Sequence, residues 1–388
     1  MTRKITKKYG GKFFGYLEYS IAHMISLLFY ARRNKKILSE RERIRKILII
    51  NLGHLGEMVL STALIANVKD IFPEARITLM GGKWATPVME DSRLIDEIIV
   101  YNSNSYNRGF KKKLNFLESI NFVFGLKRRN FDLIFDLRSD YWIMFYSIIC
   151  NAKFRIDFGT VRIKKHLREF VSNSSSKRVE HYCLQYLDTL DEIKPMEKKS
   201  ELFLEVNNEA KKWVEKKLSD LGINSNDFIA IIHPFAEWKG REWGINNFAK
   251  IGDYLSLHYK AKVIITGKED DKKPVTEMIN LMTARVYNLA GDTTLKTLIA
   301  LISKANIFIC NDGGPMHVAA ALNIPLLALF GPQTPLLFSP WSNNNKVIYH
   351  EVSCSPCEQK YCKRIPNCLE LIKVEEVINA IDELCKSF

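Results

Sequence analysis

The stretch NIFICNDGGPMHVAAALNIPLLALFG, residues 306–331, predicts a strand, a tight glycine turn, a short helix and a second strand. Residues 306–310 are a brief apolar run of the kind that forms a fully buried parallel strand. Gly313 and Gly314 then interrupt it, and Pro315 suits the first position of a helix, where its missing N–H costs nothing. Adjacent glycines let the backbone approach a ligand, and the free N–H groups of a helix start favour an anion, typically phosphate.

Asp312 refines this interpretation, because a carboxylate repels a bare phosphate but tolerates a sugar hydroxyl. The turn therefore indicates a sugar-phosphate ligand. The alternative is an ordinary strand-to-helix turn with an aspartate cap, and the stretch alone leaves it open.

The rest of the chain repeats the strand–helix alternation in two series. The first series has strands at Ile47–Asn51, Arg76–Met80, Ile95–Tyr101 and Phe131–Leu137. The second has strands at Phe228–Ile232, Lys262–Thr266, Val286–Leu289, Ile307–Cys310 and Leu326–Phe330. This alternation predicts an α/β protein with two Rossmann-like domains that face each other across a cleft. The expected boundaries are a basic arm at 1–45, a first domain at 46–206 and a second domain at 207–388.

The turn after the first strand, LGHLG, is G-x-x-G and lacks the G-x-G-x-x-G fingerprint of dinucleotide-binding domains. It is one of four unusual turns, at 52–57, 233–243, 267–271 and 311–315, and each follows a predicted strand. Ligands of such sheets bind outside the carboxyl ends of the strands. The four turns together therefore predict one site.

Two of these turns carry charges that suit a nucleotide. Lys239 and Arg241, in HPFAEWKGREW, are cations at a strand end that can neutralise a diphosphate leaving group. A cation stacked on a neighbouring tryptophan is the structural alternative. The acidic residues of GKEDD, Glu269, Asp270 and Asp271, suit ribose hydroxyls, although this feature is weak by itself.

The net charge of +14 is concentrated at the N-terminus, because residues 1–46 contain 13 Lys or Arg and 3 Glu. The remainder of the chain is nearly balanced, which argues against a body that binds nucleic acid. Residues 13–31 form an aromatic and aliphatic stretch with one narrow polar face, flanked by basic clusters. This pattern favours an amphipathic helix lying in a membrane interface. A helix that packs on a partner or on the enzyme body, and a membrane span or signal, remain alternatives.

Other charged and sulfur-containing segments are less informative. Residues 103–130 and 155–178 are rich in Lys and Arg and are expected to be surface loops, which would also permit an anionic acceptor. Four cysteines form a C-x2-C-x4-C-x5-C run at Cys354, Cys357, Cys362 and Cys368. The run could hold zinc, but it lacks the usual paired spacing, so we assign no metal and no cofactor.

Five segments, and above all NDGGPMHVAAALNIPLLALFGP, resemble glycosyltransferase family 9, the ADP-heptose:lipopolysaccharide heptosyltransferases. The other four are ILIINLGHLGEMVLSTALI, FDLIFDLR, HPFAEWKGREWG and VIITGKEDD. The resemblance covers about residues 46–385 and implies the glycosyltransferase-B fold. It also implies an inverting, metal-independent transfer from a nucleotide sugar to a lipid-linked oligosaccharide at the inner membrane surface.

The resemblance also implies roles for single residues. The general base of the family falls on Glu57, where the family usually has Asp. The phosphate-binding lysine falls on Arg241, and Lys239 is placed to share its work. Asp312, Gly313, Gly314 and His317 match the donor-binding turn, with glycine where the family often has threonine. The acidic ribose-binding position falls on Glu269, Asp270 or Asp271.

We therefore expect a heptosyltransferase-like enzyme that uses ADP-heptose and a lipopolysaccharide core acceptor. Its departures at Glu57, Arg241 and Gly313 leave two alternatives open. One is a relative on the same fold that uses another nucleotide sugar, either a transferase or an epimerase. The other is a catalytically silent glycan-binding protein at the membrane, against which the carboxylate at position 57 argues.

Overall fold

The computed structural model describes residues 34–101, 116–138, 146–171, 180–194, 196–357, 362 and 364–386. The amphipathic helix expected at 13–31 and the first part of the basic segment at 103–130 lie outside the described residues. Within them, no helix combines the length and hydropathy that crossing a membrane requires.

Two parallel sheets organise the protein, as the alternating pattern predicts. The first sheet has the strand order β3-β2-β1-β4-β5. Its strands are β1 (Lys46–Asn51), β2 (Arg76–Gly82), β3 (Glu97–Tyr101), β4 (Leu133–Asp136) and β5 (Phe154–Asp157). The central strand β1 is buried on both faces, because Leu48 and Ile49, which point to opposite sides, are both inaccessible to solvent.

The second sheet has the strand order β11-β10-β9-β6-β7-β8. Its strands are β6 (Ile229–His233), β7 (Lys262–Ile265), β8 (Val286–Asn288), β9 (Ile307–Asn311), β10 (Leu326–Phe330) and β11 (Asn345–Tyr349). All pairings in both sheets are parallel. The carboxyl ends of β9, β6 and β7 therefore lie side by side at one edge.

Helices cover the faces of both sheets. The described α-helices of the first half are α1 (Leu55–Leu60), α2 (Thr62–Ile71), α3 (Phe116–Arg128), α4 (Phe158–Val171) and α5 (Tyr182–Leu187). Those of the second half are α6 (Asn208–Asp220), α7 (Ile245–Tyr259), α8 (Lys272–Asn280), α9 (Leu295–Ile302), α10 (Gly314–Ala321), α11 (Pro335–Phe338) and α12 (Val374–Cys385). Helix α10 packs directly on α1, and one hydrophobic cluster includes buried residues of both sheets.

The expected surface loops are corrected by the structure. Residues 154–171 form strand β5 and helix α4, and Arg155 is 1% exposed, because Asp136 and Asp157 neutralise its charge at 3.0 and 3.2 Å. Residues 116–128, also expected to be a surface insertion, form helix α3, which buries Val123. Strand β11 is an additional strand that the pattern did not reveal.

The segment before β1 is anchored to the first sheet. Ile37 and Ile44 are buried, and the Asn34 side chain donates to the carbonyl of Arg155 at 2.7 Å. Residues 34–45 are therefore packed against the first sheet.

Candidate functional site

The four unusual turns all begin where a strand ends. They follow β1, β6, β7 and β9, whose last residues are Asn51, His233, Ile265 and Asn311. The turns after β6 and β9 are joined by Asn311, which is buried. Its side-chain amide donates to the Pro234 carbonyl at 2.6 Å, and its Oδ1 accepts the backbone N–H of Trp243 at 3.1 Å. This fixes the 239–243 segment beside the glycine turn.

The two glycines of the turn have different environments. A Cβ atom on Gly314 would stand 2.9 Å from Leu55 of α1, so Gly314 allows the close approach of the two helices. A Cβ on Gly313 would have no neighbour nearer than 3.8 Å. Of these two glycines, Gly313 is therefore the one with open space beside it among the described residues.

Asp312 and Arg241 form an ion pair, with 3.2 Å between the carboxylate Oδ2 and the guanidinium NH1. Burial raises the pKa of Asp312, and the charge of Arg241 opposes this shift. Arg241 also lies over the Trp238 ring at 4.7 Å, so the stacking expected as an alternative coexists with the ion pair. Because both charges are largely desolvated, the pair responds strongly to any anion placed beside it.

Three buried polar atoms at this point have no hydrogen-bond partner among the described residues. They are Nε of Arg241, Nδ1 of His317 and Oδ2 of Asp312, which makes the ion pair with Arg241 but no hydrogen bond. Burial lowers the pKa of His317 to about 3, with a further lowering from His181, so the ring is neutral at pH 7. Buried polar groups in folded proteins are normally paired. The three atoms together therefore mark a position that a polar ligand would complete.

Glu57 lies on the other side of the α1–α10 contact, in the first turn of α1. Its Oε2 accepts the backbone N–H of His54 at 2.8 Å, which caps the helix, and its Oε1 accepts from Arg138 NH1 at 3.0 Å. A Cβ on Gly53 would stand 2.6 Å from Cβ of Glu57, so this glycine makes room for the carboxylate residue. His54 is exposed.

The remaining candidates are less enclosed. Lys239 pairs with Glu242 at 2.9 Å and its side chain is 64% exposed. Glu269 pairs with Lys272, and Asp271 accepts the Lys268 backbone N–H. The Asp270 carboxylate has no partner among the described residues and is exposed, so it is the least committed of the three acids.

Two residues near these turns have contacts that the sequence did not predict. Arg138 follows β4 and pairs with Glu57. His233 ends β6, contacts Thr266 at 3.0 Å and has its pKa lowered to about 4 by burial and by Lys268. The sequence could have indicated both, because each is a polar residue at the end of an apolar run, where a buried strand meets the ligand-binding edge of the sheet.

The cysteine run surrounds a small cavity next to the 239–241 turn. Cys354, Cys357, Cys362 and Cys368 line it together with Gly240 and Arg364. Across the described part of the chain, no three His, Cys, Asp or Glu side chains are arranged to hold a metal ion.

Known proteins with similar sequences and structures include glycosyltransferases. The family model described as glycosyltransferase family 9 (heptosyltransferase) matches residues 122–366. Lipooligosaccharide heptosyltransferase 2 of Campylobacter jejuni is 26% identical over 344 residues, which cover 86% of this chain and 96% of the relative.

Two solved structures share the fold. The glycosyltransferase family 9 protein of Veillonella parvula superposes with a TM-score of 0.71 at 20% identity, covering 88% of this chain and 97% of that one. The ADP-heptose lipopolysaccharide heptosyltransferase II of Escherichia coli gives 0.65 at 21% identity, with coverages of 87% and 98%.

Proposed function

The chain belongs to glycosyltransferase family 9, and from this membership we propose that it transfers heptose from ADP-heptose to a lipopolysaccharide core or similar glycan. We further propose that the transfer inverts the anomeric configuration and uses no metal ion. The relative from Campylobacter jejuni and the E. coli structure, both heptosyltransferases by name, support the sugar and the class of acceptor.

The observation that carries the proposal is the buried group of Arg241, Asp312 and His317, in which each side chain has an atom without a hydrogen-bond partner among the described residues. A cation, a carboxylate and a neutral imidazole can together hold a sugar diphosphate, which offers both anionic oxygens and hydroxyl groups. A bare anion would leave the Asp312 carboxylate repelled. A sugar-nucleotide is therefore the better fit.

In the proposed donor site, Arg241 meets the diphosphate, and the open backbone beside Gly313 lets the phosphates approach. Asp312 and His317 hold hydroxyl groups of the sugar. Gly314 has no side chain, so Leu55 can pack against the turn. Lys239, which is more exposed, contributes charge at longer range, and Asp270 is our choice among Glu269, Asp270 and Asp271 for the ribose.

Glu57 acts as the general base. An acceptor hydroxyl attacks the anomeric carbon and gives its proton to the Glu57 carboxylate, while the bond from that carbon to the phosphate oxygen breaks. The electron pair leaves with the nucleoside diphosphate, whose charge Arg241 neutralises. A positioned base of this kind contributes about 10²–10⁴-fold to the rate.

We place the reaction at the inner membrane surface, because the acceptor is lipid-linked and the N-terminal arm is basic. Residues 1–46 hold 13 Lys or Arg against 3 Glu, and anionic headgroups attract such segments. The part of the arm that precedes Asn34 would lie on the membrane and leave both sheets in the aqueous phase.

The direct test is to incubate the purified protein with ADP-heptose and core oligosaccharides of defined length. We expect one oligosaccharide to gain the mass of one heptose, with release of ADP and with chelator present throughout. A panel of other nucleotide sugars serves as the comparison. Transfer from a different donor, or donor binding without any product, would contradict the proposal.

A further inference from the structure

The Glu57 carboxylate is held at both of its oxygen atoms. The backbone N–H of His54 donates to Oε2 and Arg138 NH1 donates to Oε1, at 2.8 and 3.0 Å. The two side chains of the ion pair are 14% and 16% exposed, so this charge-assisted bond is shielded from water. Two such bonds, one to each oxygen, fix the orientation of the carboxylate.

The strand order explains why Arg138 reaches this carboxylate. Strands β1 and β4 are neighbours in the first sheet, with Ile50 opposite Asp136. The N–H of Leu137 donates to the Ile50 carbonyl at 3.0 Å, which extends the pairing past the strand end. Residues that follow the two strands therefore leave the sheet side by side.

The backbone of Arg138 is itself anchored by a buried ionic group. Its N–H donates to Oδ1 of Asp136 at 3.2 Å, and Oδ2 of Asp136 accepts from Arg155 at 3.0 Å. Arg155 is also bonded to Asp157 and Ser147. Breaking a buried charge pair is costly, so the ion pairs of Arg155 hold Asp136, and through it the backbone of Arg138, in place.

We propose that Arg138 is a positioning residue for the transfer reaction: it holds the Glu57 carboxylate in one orientation and keeps it negatively charged until the acceptor arrives. The proposal rests on the proposed role of Glu57 as general base. Arg138 itself exchanges no proton, because a guanidinium stays charged throughout the working pH range.

This role has consequences that a merely structural residue would not have. During transfer, the acceptor proton passes to Glu57, so the carboxylate becomes neutral while Arg138 keeps its charge. A fixed cation beside a carboxylate opposes its protonation in the resting enzyme. Loss of the cation should therefore move the acidic limb of the kcat–pH profile to higher pH.

The test compares Arg138→Gln, which loses the charge, with Arg138→Lys, which keeps it. For Arg138→Gln we expect kcat at pH 7 to fall about tenfold and the acidic limb to rise by about one pH unit, with the Kd for ADP unchanged. For Arg138→Lys we expect the limb to stay in place and kcat to fall only about threefold, because an ammonium group keeps the charge but lacks the fixed planar geometry of the guanidinium. Arg129→Gln is the matched control, since Arg129 pairs with Glu97 at the opposite end of β4 and its variant should behave as wild type.

The double variant Glu57→Gln/Arg138→Gln separates this proposal from the proposed function. If Arg138 acts through Glu57, the double variant is no slower than Glu57→Gln alone. An additional tenfold loss, or an Arg138→Gln variant with a higher acceptor KM and an unmoved acidic limb, would overturn the positioning role and make Arg138 an acceptor-binding residue. If Arg138→Gln does not fold, Arg138→Lys decides in combination with Glu57→Gln: a double variant no slower than Glu57→Gln alone supports the positioning role, and an additional loss overturns it. Failure of the proposed function appears separately, as a wild-type protein that forms no heptosylated product.

Discussion

The imidazole of His317 lies directly over Gly56, so that a Cβ atom added to Gly56 would stand 2.4 Å from Cδ2 of His317. The contact is reciprocal, because Leu55 fills the space beside Gly314 in the same way. The first turn of α1, which carries Glu57, is thus interlocked with the glycine turn between β9 and α10 and with the helix that follows it. A substitution in α1 at this contact should therefore change the position of His317 in α10.

A Gly56→Ala variant tests that coupling. The added methyl group must displace the His317 ring, and overpacking of this kind costs about 1–3 kcal/mol. We expect lower stability in urea unfolding, and weaker ADP binding by calorimetry because His317 moves. Gly125→Ala in α3 is the control, since its Cβ would meet nothing within 4 Å. It should be neutral or slightly stabilising. A Gly56→Ala protein with wild-type stability and affinity would contradict the interlocked arrangement.

Stability should decrease on acidification because of buried neutral histidines. Burial lowers the pKa of His317 to about 3 and that of His233 to about 4, from an ordinary 6.5. Between about pH 6 and pH 4 the unfolded chain therefore binds more protons than the folded protein. Each group then removes about 1.4 kcal/mol of unfolding free energy per pH unit as the pH falls. Urea unfolding at several pH values measures how the unfolding free energy depends on pH. The His317→Asn variant should reduce this slope by the contribution of one histidine, about 1.4 kcal/mol per pH unit. An unchanged slope in that variant would show that His317 is protonated in the folded protein.

Arg241 and Asp312 should both contribute to donor affinity. We expect Arg241→Ala and Asp312→Ala each to weaken ADP-heptose binding about tenfold, or about 1.4 kcal/mol, in isothermal titration. Because the two side chains are paired, the losses should not add in the double variant. Arg241→Ala should also slow single-turnover transfer, since its cation meets charge that grows on the leaving diphosphate.

Lys239→Ala is the comparison for this pair. Its ammonium group is largely exposed and pairs with Glu242, so we expect a change of less than about threefold. A larger effect from Lys239 than from Arg241 would place the diphosphate on the outer side of the turn.

The arm should bind membranes independently of the catalytic body. A chain that begins at Arg33 keeps Asn34 and Ile37, which pack on the first sheet, and should fold and bind ADP. It should lose most of its binding to anionic phosphatidylglycerol vesicles in sedimentation, because each basic residue near such a surface is worth about 1 kcal/mol. High salt should weaken the binding of the full chain only in part, because the aromatic stretch contributes independently of charge. Equal sedimentation of the shortened and full chains would exclude the arm as the anchor.

The sequence predicted the two sheets and the turns at their edge because parallel strands buried on both faces leave continuous apolar runs. The sequence-based prediction was wrong where a charged side chain is buried. Arg155 was assigned to a basic surface loop, since nothing local reveals that Asp136 and Asp157 enclose it. The same limit applies to α4, whose basic residues obscured its helical pattern.

The pairing of Arg138 with Glu57 was also beyond the sequence. It depends on β4 lying next to β1, and the order of strands within a sheet is a property of the whole fold. Gly314 is a further case: the sequence predicts that a ligand approaches this glycine, whereas the structure places Leu55 of α1 against it.

The proposed transfer reaction depends most directly on Glu57 as the base, and single-turnover transfer by Glu57→Gln tests this role. The substitution keeps the size of the side chain and removes its basicity, so the rate of heptose transfer should fall about 10²-fold or more while the Kd for ADP-heptose stays within about twofold. Near-normal transfer by the Gln variant would contradict the assignment and direct attention to His54 in the same turn.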